Sequence, residues 1–208
     1  MIQCFVRTTV LGAVCIAMAA SAQIGPGETG RSEAARLMNE LMAGNVPVGG
    51  PFALTDQDGQ RAGPEQWRGK VSLLYFGYMF CPDACPAALS DMGAAIEALG
   101  ALGTQVQPVF VTLDPTRDIP KLRGDYARSF NSRFLALGGT EDEVRRVALA
   151  YKVFYEKVPL PGSDHYLIDH TSFTYVLDSN GRYLGYFPPG TSGSRMAEQL
   201  RKLLAGKS

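Results

Sequence analysis

The sequence predicts an α/β fold in which helices cover both faces of one sheet. Two segments, residues 71–76 and 106–113, carry apolar side chains at successive positions, which is typical of strands buried on both sides. A stretch with apolar residues at helical spacing separates them, so the three segments predict a right-handed βαβ unit. The chain of 208 residues is 46% hydrophobic and 19% charged, a composition that fits one domain with a full core. Its formal net charge of zero argues against binding of nucleic acid.

Residues 1–22 have the features of an export signal. Arg7 precedes an apolar run, and Ala-Ser-Ala at residues 20–22 offers a cleavage site. The run is shorter than the roughly 20 residues that span a bilayer comfortably, and an uncleaved membrane anchor is the alternative. We therefore expect an exported, periplasmic protein that is either soluble or anchored to the inner membrane.

Residues 23–45 predict a linker and a helix, and residues 46–208 predict the folded domain. The segment 23–30 is Gly-rich, and a helix is expected to open at Ser32 and to end at Gly44. The domain then begins with a short strand, a turn at residues 56–59 and a return strand, which together predict an N-terminal β-hairpin.

The remaining elements follow the βαβ order with additions. The predicted elements in chain order are strand 71–76, helix 87–101, strand 106–113, helix 120–130, strand 134–137, helix 141–150, strand 151–158, a turn-rich insertion at 159–164, a β-hairpin at 172–177 and 182–187, and helix 195–204. This order predicts a thioredoxin-like fold with an N-terminal β-hairpin extension and loop insertions.

Two cysteines stand where the first central strand runs into a helix. Cys81 and Cys85 are four residues apart, which places both sulfurs on one face of the first helical turn. The positive end of the helix dipole favours a thiolate there. Such a pair can close a disulfide or hold one soft metal ion. A plain structural disulfide is the simpler alternative, although a bridge across so short a loop adds little stability.

The other cysteines, Cys4 and Cys15, lie in the export segment, so processing leaves only the pair at 81 and 85. Asp83 stands between the paired cysteines, where it either complements the helix dipole or shapes the site.

The chain has two histidines, His165 and His170. In a thioredoxin-like sheet the loop ahead of the strand at 172–177 faces the cysteine turn, so His170 is expected to reach between the two sulfurs. Two thiolates and one imidazole suit copper(I), which tolerates three ligands, whereas zinc usually takes four. The alternative for His170 is a surface or capping role. His165 lies in a polar turn and is expected to be solvated, and Asp169 is a candidate to orient His170.

A polar segment follows the second central strand. Residues 114–118, Asp-Pro-Thr-Arg-Asp, lie at the sheet edge where α/β proteins place functional loops. We expect Asp114, Arg117 and Asp118 to form a local ion pair that caps the following helix.

These motifs together resemble the Sco (SenC/PrrC-like) family of copper chaperones for cytochrome c oxidase assembly. The segments that carry the resemblance are Gly-Pro-Phe at 50–52 to Gly59, Gly69-Lys70 with its strand, Phe-Gly-Tyr at 76–78, Cys-Pro-Asp-Ala-Cys-Pro at 81–86, the segment 114–118, Asp169-His170, and the strand to Asp178 and Gly181. The resemblance covers roughly residues 46–204 in the same order. Met79 stands where the family often has Thr.

The resemblance implies a copper site formed by Cys81, Cys85 and His170. It further implies delivery of copper, as Cu(I) or Cu(II), to the dinuclear copper centre of oxidase subunit II or to another cuproprotein. Reduction of that subunit's cysteines is the family's second proposed role, and a thioredoxin-like reductant is then a further candidate partner. Loading requires that Cys81 and Cys85 be reduced.

An exported thiol-disulfide oxidoreductase is the alternative function. Cys81 would then be the attacking thiolate and Cys85 the resolving thiol. The spacing is CxxxC rather than CxxC, and no proline directly precedes the 172–177 strand, which argues against this role as the main one. A thiol peroxidase is less favoured, because Tyr78 stands where such enzymes carry threonine. Whether the protein is an enzyme depends on which role applies.

Overall fold

The computed structural model describes residues 26–44 and 46–206. The predicted signal or anchor segment at residues 1–22, with Cys4 and Cys15, lies outside the described residues. Within the described part of the chain, no helix has the length and apolar character needed to cross a membrane.

A five-stranded sheet forms the centre of the fold. Its strands are β3 (Val71–Gly77), β4 (Val106–Thr112), β5 (Leu135–Leu137), β8 (Thr174–Leu177) and β9 (Tyr183–Phe187), in the order β5-β4-β3-β8-β9. β3 pairs in parallel with β4 and antiparallel with β8. Every residue of β3 and β4 is buried, as the mainly apolar composition predicts for strands covered on both faces.

Helices cover both faces of this sheet and divide the core into two clusters. The helices are α1 (Pro26–Ala43), α2 (Ala84–Leu99), α3 (Pro120–Phe130), α4 (Glu141–Ala150) and α5 (Gly193–Ala205). Side chains of α2, α3 and α5 pack on one face, and side chains of α1 and α4 pack on the other. Alternate residues of β3 feed the two clusters, because successive side chains of a strand point to opposite faces. The predicted thioredoxin-like α/β fold is confirmed.

The predicted N-terminal β-hairpin is present but short. β1 (Leu54–Thr55) pairs antiparallel with β2 (Arg61–Ala62), and a 3₁₀ turn at Pro64–Trp67 leads toward β3. The Trp67 indole donates a buried hydrogen bond of 2.7 Å to the Ser72 hydroxyl at the start of β3. This bond fixes the entry of the extension into the central strand.

Three helices begin earlier than predicted, and the smallest difference is at α5, which begins at Gly193 rather than at residue 195. α1 begins at Pro26, not at Ser32, so the Gly-rich stretch is helical from residue 26 onward. Leu37 and Leu41 of this helix are buried, and their burial compensates for the weak helix propensity of glycine. α2 begins at Ala84 rather than at residue 87, which brings Cys85 into its first turn.

The largest departure from the predicted elements is a second hairpin. β6 (Tyr155–Pro159) pairs antiparallel with β7 (Tyr166–His170) as a separate two-stranded sheet. The prediction that His170 lies in a loop is therefore wrong, because His170 is the last residue of β7. Residues 151–154 are not part of a strand, since the chain turns there through Lys152, whose φ is 59°. The predicted turn-rich insertion is the loop that joins β6 to β7.

Candidate metal and thiol site

The two cysteines lie on the turn that joins β3 to α2. The carbonyl of Gly77 at the end of β3 accepts a 2.7 Å hydrogen bond from the Leu113 amide, and this bond holds the start of the turn beside β4. Cys81 precedes the helix and Cys85 is its second residue. The backbone amide of Cys85 donates to Cys81 Sγ at 3.3 Å. The free N–H groups of the first helical turn therefore face the Cys81 sulfur.

The two sulfurs differ in exposure and in proton affinity. Cys81 is partly exposed, Cys85 is fully buried, and both are free thiols. The thiol of Cys85 donates to Cys81 and is the main reason that the pKa of Cys81 falls to about 4, with smaller contributions from His170 and from two backbone amides. Sharing of this proton with Cys81, followed by burial, raises the pKa of Cys85 above its ordinary value. The shared proton therefore favours a thiolate at Cys81 and a thiol at Cys85.

His170 reaches the sulfurs from the end of β7. Its Nε2 lies 3.4 Å from Cys85 Sγ, and its Nδ1 lies 3.1 Å from the carbonyl oxygen of Thr171. A carbonyl oxygen only accepts, so Nδ1 is the protonated nitrogen and the lone pair of the neutral ring is on Nε2. The rings of Tyr75 and Tyr78 lie at 6.1 and 5.9 Å from the imidazole, each nearly perpendicular to it. The imidazole thus presents a donor atom to the cysteine pair.

The ligand atoms of Cys81, Cys85 and His170 all lie within 4.8 Å of one another. Among the described residues, no other group of three or more His, Cys, Asp or Glu side chains converges in this way. Two soft sulfurs and one borderline nitrogen match copper(I), and the cluster has no fourth such residue to complete a tetrahedral zinc site. The donor set therefore fits a low-coordinate soft cation.

Three other predicted residues lie outside the ligand cluster. His165 is exposed in the loop between β6 and β7, as expected for a solvated residue. Asp169 is exposed and belongs to the opposite face of β7, so it does not orient His170, and the Thr171 carbonyl takes that role instead. Asp83 is the N-cap residue of α2, but its side chain makes no capping hydrogen bond. Its backbone amide contributes to the low pKa of Cys81.

The segment 114–118 does not cap α3, contrary to our prediction. The Arg117–Asp114 ion pair forms, but the N-cap position of α3 is Ile119, which makes no side-chain cap. The pair instead faces β7, because the Tyr166 hydroxyl donates to Asp114 at 2.9 Å and Arg117 donates to the Tyr166 carbonyl at 2.9 Å. The ion pair therefore makes long-range contacts with Tyr166 instead of the expected local cap of α3.

Asp118 binds the cysteine turn from behind. Its carboxylate accepts from the Met79 amide at 3.0 Å and from the Thr112 hydroxyl at 2.6 Å. Burial raises its pKa to about 6. The segment 114–118 thus supports both the cysteine turn and the strand that carries His170.

Sequence reasoning missed the aromatic wall of the site. Tyr75 is buried beneath the sulfurs. Burial is the main reason that the pKa of its hydroxyl is raised, and the negative charge of the cysteine pair, first at Cys85, is the second. The same two causes act on Tyr126 of α3. Strand parity could have found Tyr75, because it shares a face of β3 with Gly77, where an added Cβ would lie 2.7 Å from Cys85 Sγ.

Comparisons with known proteins identify the same family as the motifs. The SCO1/SenC family model matches residues 41–205. An SCO2-like protein of Rickettsia conorii is 40% identical over 158 residues, which cover 76% of this chain and 77% of the relative.

Two solved structures of Sco proteins have folds similar to that of this chain. The structure of Bradyrhizobium japonicum ScoI with copper bound has a TM-score of 0.69 at 34% identity and covers 74% of this chain and 98% of that one. The structure of yeast Sco1 with copper bound has a TM-score of 0.69 at 32% identity and covers 77% and 90%.

Proposed function

This chain belongs to the SCO1/SenC family, and on that premise we propose that it is a copper metallochaperone. One copper ion is held by Cys81, Cys85 and His170 and is delivered to the dinuclear copper centre of cytochrome c oxidase subunit II. Copper(I) is the form that this three-donor set favours, because two sulfurs and one imidazole nitrogen give a soft, low-coordinate site.

One observation carries the proposal. His170 lies 85 residues after Cys85 in the chain, yet its Nε2 lies 3.4 Å from the buried sulfur. A histidine with only a surface role has no reason to lie between two tyrosine rings with one ring nitrogen beside a buried cysteine sulfur. Similarity to copper-bound ScoI and Sco1 supports the same interpretation.

Release of the ion follows from the unequal exposure of the two sulfurs. Cys81 is the accessible sulfur, so an incoming thiol of the recipient would lose its proton and bind the ion on this side. The bonds to the histidine and to the cysteines then break in turn, and Cys85 takes up a proton from solvent while Cys81 remains a thiolate. Ligand exchange of this kind changes no oxidation state.

The test compares the two histidines of the chain. His170→Ala removes a donor and should weaken copper(I) binding by more than about 100-fold, because loss of a ligand's outer partners alone typically costs about 10- to 100-fold. His165→Ala is the matched control, since that residue is exposed in the loop between β6 and β7, and it should leave affinity unchanged. Competition with a chromophoric copper(I) chelator measures both. Equal affinities for the two variants would rule out the three-donor site.

The thiol-disulfide oxidoreductase is the second candidate, and the pKa of Cys81, about 4, favours it. In that reaction the Cys81 thiolate attacks a partner disulfide, and Cys85 then displaces the partner to leave a Cys81–Cys85 disulfide and a partner dithiol. A thioredoxin-like reductant would restore the pair. His170→Ala separates the two roles, because it should abolish tight copper binding and leave the rate of reaction with a model disulfide largely intact.

We further propose export of the protein to the periplasm, either in solution or anchored to the inner membrane. Copper delivery and disulfide chemistry both suit that compartment. The mass of the protein recovered from the periplasmic and membrane fractions distinguishes cleavage after residue 22 from retention of an anchor.

A further inference from the structure

The hairpin that carries His170 lies outside the five-stranded sheet. β6 and β7 bond to each other as a separate ladder, and most of their residues are exposed or half-buried. Ile168 is the buried exception and packs in the core cluster beneath the cysteines. Tyr155 and Tyr166 are only partly buried against the same cluster. One fully buried side chain, two partly buried rings and a two-stranded ladder are a weak anchor for a residue that must hold a position to a fraction of an ångström.

Arg117 supplies a second anchor. Its guanidinium lies 3.7 Å from the centroid of the Tyr166 ring, and its Nη1 donates to the Tyr166 carbonyl at 2.9 Å. Its Nε pairs with Asp114, which is fully buried and also accepts from the Tyr166 hydroxyl. Arg117 therefore contacts both the ring face and the backbone carbonyl of Tyr166 in β7. Asp114 links Arg117 to the hydroxyl of the same tyrosine.

The same guanidinium also faces the cysteine turn. It lies 5.0 Å from the ring centroid of Phe80, the residue immediately before Cys81, and 5.9 Å from that of Tyr78. The loop that presents Arg117 is itself tied to this turn, since Asp118 accepts from the Met79 amide. One side chain thus bridges the segment that holds the sulfurs and the strand that holds the imidazole.

The bridge lies close enough to His170 to control its position. Tyr166 and His170 are four residues apart on one strand, or about 13 Å, and both belong to the face of β7 that includes Ile168. Loss of the Tyr166 contact would let β7 move from the cysteine turn about the Ile168 anchor. The fraction of molecules with His170 beside the sulfurs would fall, and the apparent affinity for the ion would fall by the same fraction.

We propose that Arg117 is a positioning residue that clamps the hairpin through Tyr166 and thereby sets the copper affinity contributed by His170. This inference rests on the proposed function, because it concerns the same three donors. Arg117 forms no hydrogen bond with Cys81, Cys85 or His170, and its hydrogen bonds to the hairpin end on Tyr166, so its effect is expected to pass through the strand that carries His170. The clamp is built from an aromatic face and hydrogen bonds, with Asp114 fully buried, Arg117 partly buried and the neighbouring Phe80 exposed.

The experiment measures copper(I) affinity of the full chain with reduced thiols, in the native and His170→Ala backgrounds. Arg117→Met keeps the length of the side chain and removes the charge and the planar fork. In the native background it should weaken binding about tenfold, the scale of one partly buried cation–π or charge-assisted contact. In the His170→Ala background it should have no effect, because the residue through which it acts is gone.

Three further variants complete the design. Arg117→Lys retains the charge without the fork and should recover part of the affinity. Arg128→Met, which breaks an exposed ion pair with Asp125 on α3, is the matched control and should leave affinity unchanged. Tyr166→Leu removes the ring and hydroxyl contacts from the half-buried hairpin side but keeps the carbonyl hydrogen bond, so it should weaken binding in the same direction as Arg117→Met, which keeps the test valid if the arginine variant folds poorly.

Two results would overturn the inference. One is native affinity in both Arg117→Met and Tyr166→Leu. The other is an equal loss of affinity with and without His170, which would mean that Arg117 acts on the cysteines or on the fold. Neither result touches the proposed function, whose own failure appears separately as native copper affinity in His170→Ala.

Discussion

The two halves of the site are held by different kinds of structure. The cysteine turn follows β3, a strand buried at every position, and Cys85 itself is fully buried. His170 ends a two-stranded hairpin whose strands are mostly exposed or half-buried. The core therefore fixes the sulfurs, whereas side-chain contacts fix the imidazole. A site built this way can keep its thiols in place while the third donor adjusts to capture or release an ion.

The largest expected effect is on global stability and separates the two halves directly. Phe110→Ala removes a fully buried ring of β4 beneath the cysteine turn and should lower the free energy of unfolding by about 3–5 kcal/mol. Leu160→Ala, at the exposed loop of the hairpin, should change it by less than about 0.5 kcal/mol. Urea unfolding of the reduced protein measures both. Similar losses would show that the hairpin is part of the core.

The next effect is on the pKa of Cys81, and it compares the contribution of Cys85 in the cysteine turn with that of His170 in the hairpin. Cys85 is the first cause of the low pKa of Cys81, and His170 is a smaller one. Cys85→Ala should therefore raise the pKa of Cys81 further than His170→Ala does. The pH dependence of Cys81 alkylation measures this pKa, and the reverse order would place the dominant donor on the hairpin.

The same pKa gives stability a pH dependence of known sign. The pKa of Cys81 falls from 9.0 to about 4 on folding, so the unfolded chain binds more protons between these values. The free energy of unfolding of the reduced protein should fall as pH is lowered from 9 toward 6, above the range in which the raised pKa of Asp118, about 6, acts in the opposite direction. The raised pKa of Cys85 leaves this slope unchanged, because below pH 9 that thiol keeps its proton in both states. Cys81→Ser should flatten the dependence, and an unchanged slope would contradict the assignment.

A smaller effect concerns local opening. The free energy of opening measured by amide exchange should be at least about 2 kcal/mol lower in the β6–β7 ladder than in the β3–β4 ladder, because local opening free energies range from about zero to the global value. Hydrogen exchange of the apo protein under native conditions measures this difference. Equal protection of the two ladders would mean that the hairpin opens only when the whole domain unfolds.

The smallest effect concerns the exposed ion pair between the hairpin and α4. Lys157 lies 3.0 Å from Glu141, but both side chains are largely exposed. Lys157→Met should cost at most about 1 kcal/mol of stability and less at high salt. Its copper affinity should match that of the native protein. A loss as large as that of Arg117→Met would show that the ion pair, not the partly buried cluster of Arg117, Asp114 and Tyr166, holds the hairpin.

Much of the fold could be predicted because local patterns carry it. The apolar runs at 71–76 and 106–113 are buried strands, and α3 and α4 have the predicted ends. β7 was missed because Tyr166–His170 shows no alternation of apolar and polar residues, and its two-stranded ladder depends on pairing with β6 across the intervening loop. The start of α1 was missed because the burial of Leu37 and Leu41 outweighs the glycines near its first turns.

The sequence by itself determined the family, the order of the elements and the three donor residues, because these depend on residue identity and on spacing along the chain. Only the tertiary structure decided how the donors meet. It placed His170 on a strand rather than a loop, gave the two sulfurs opposite shifts in pKa, and turned Arg117 from the expected helix cap into a bridge between β7 and the cysteine turn. Each of these outcomes depends on burial and on contacts between residues far apart in the chain, which no local pattern of side chains encodes.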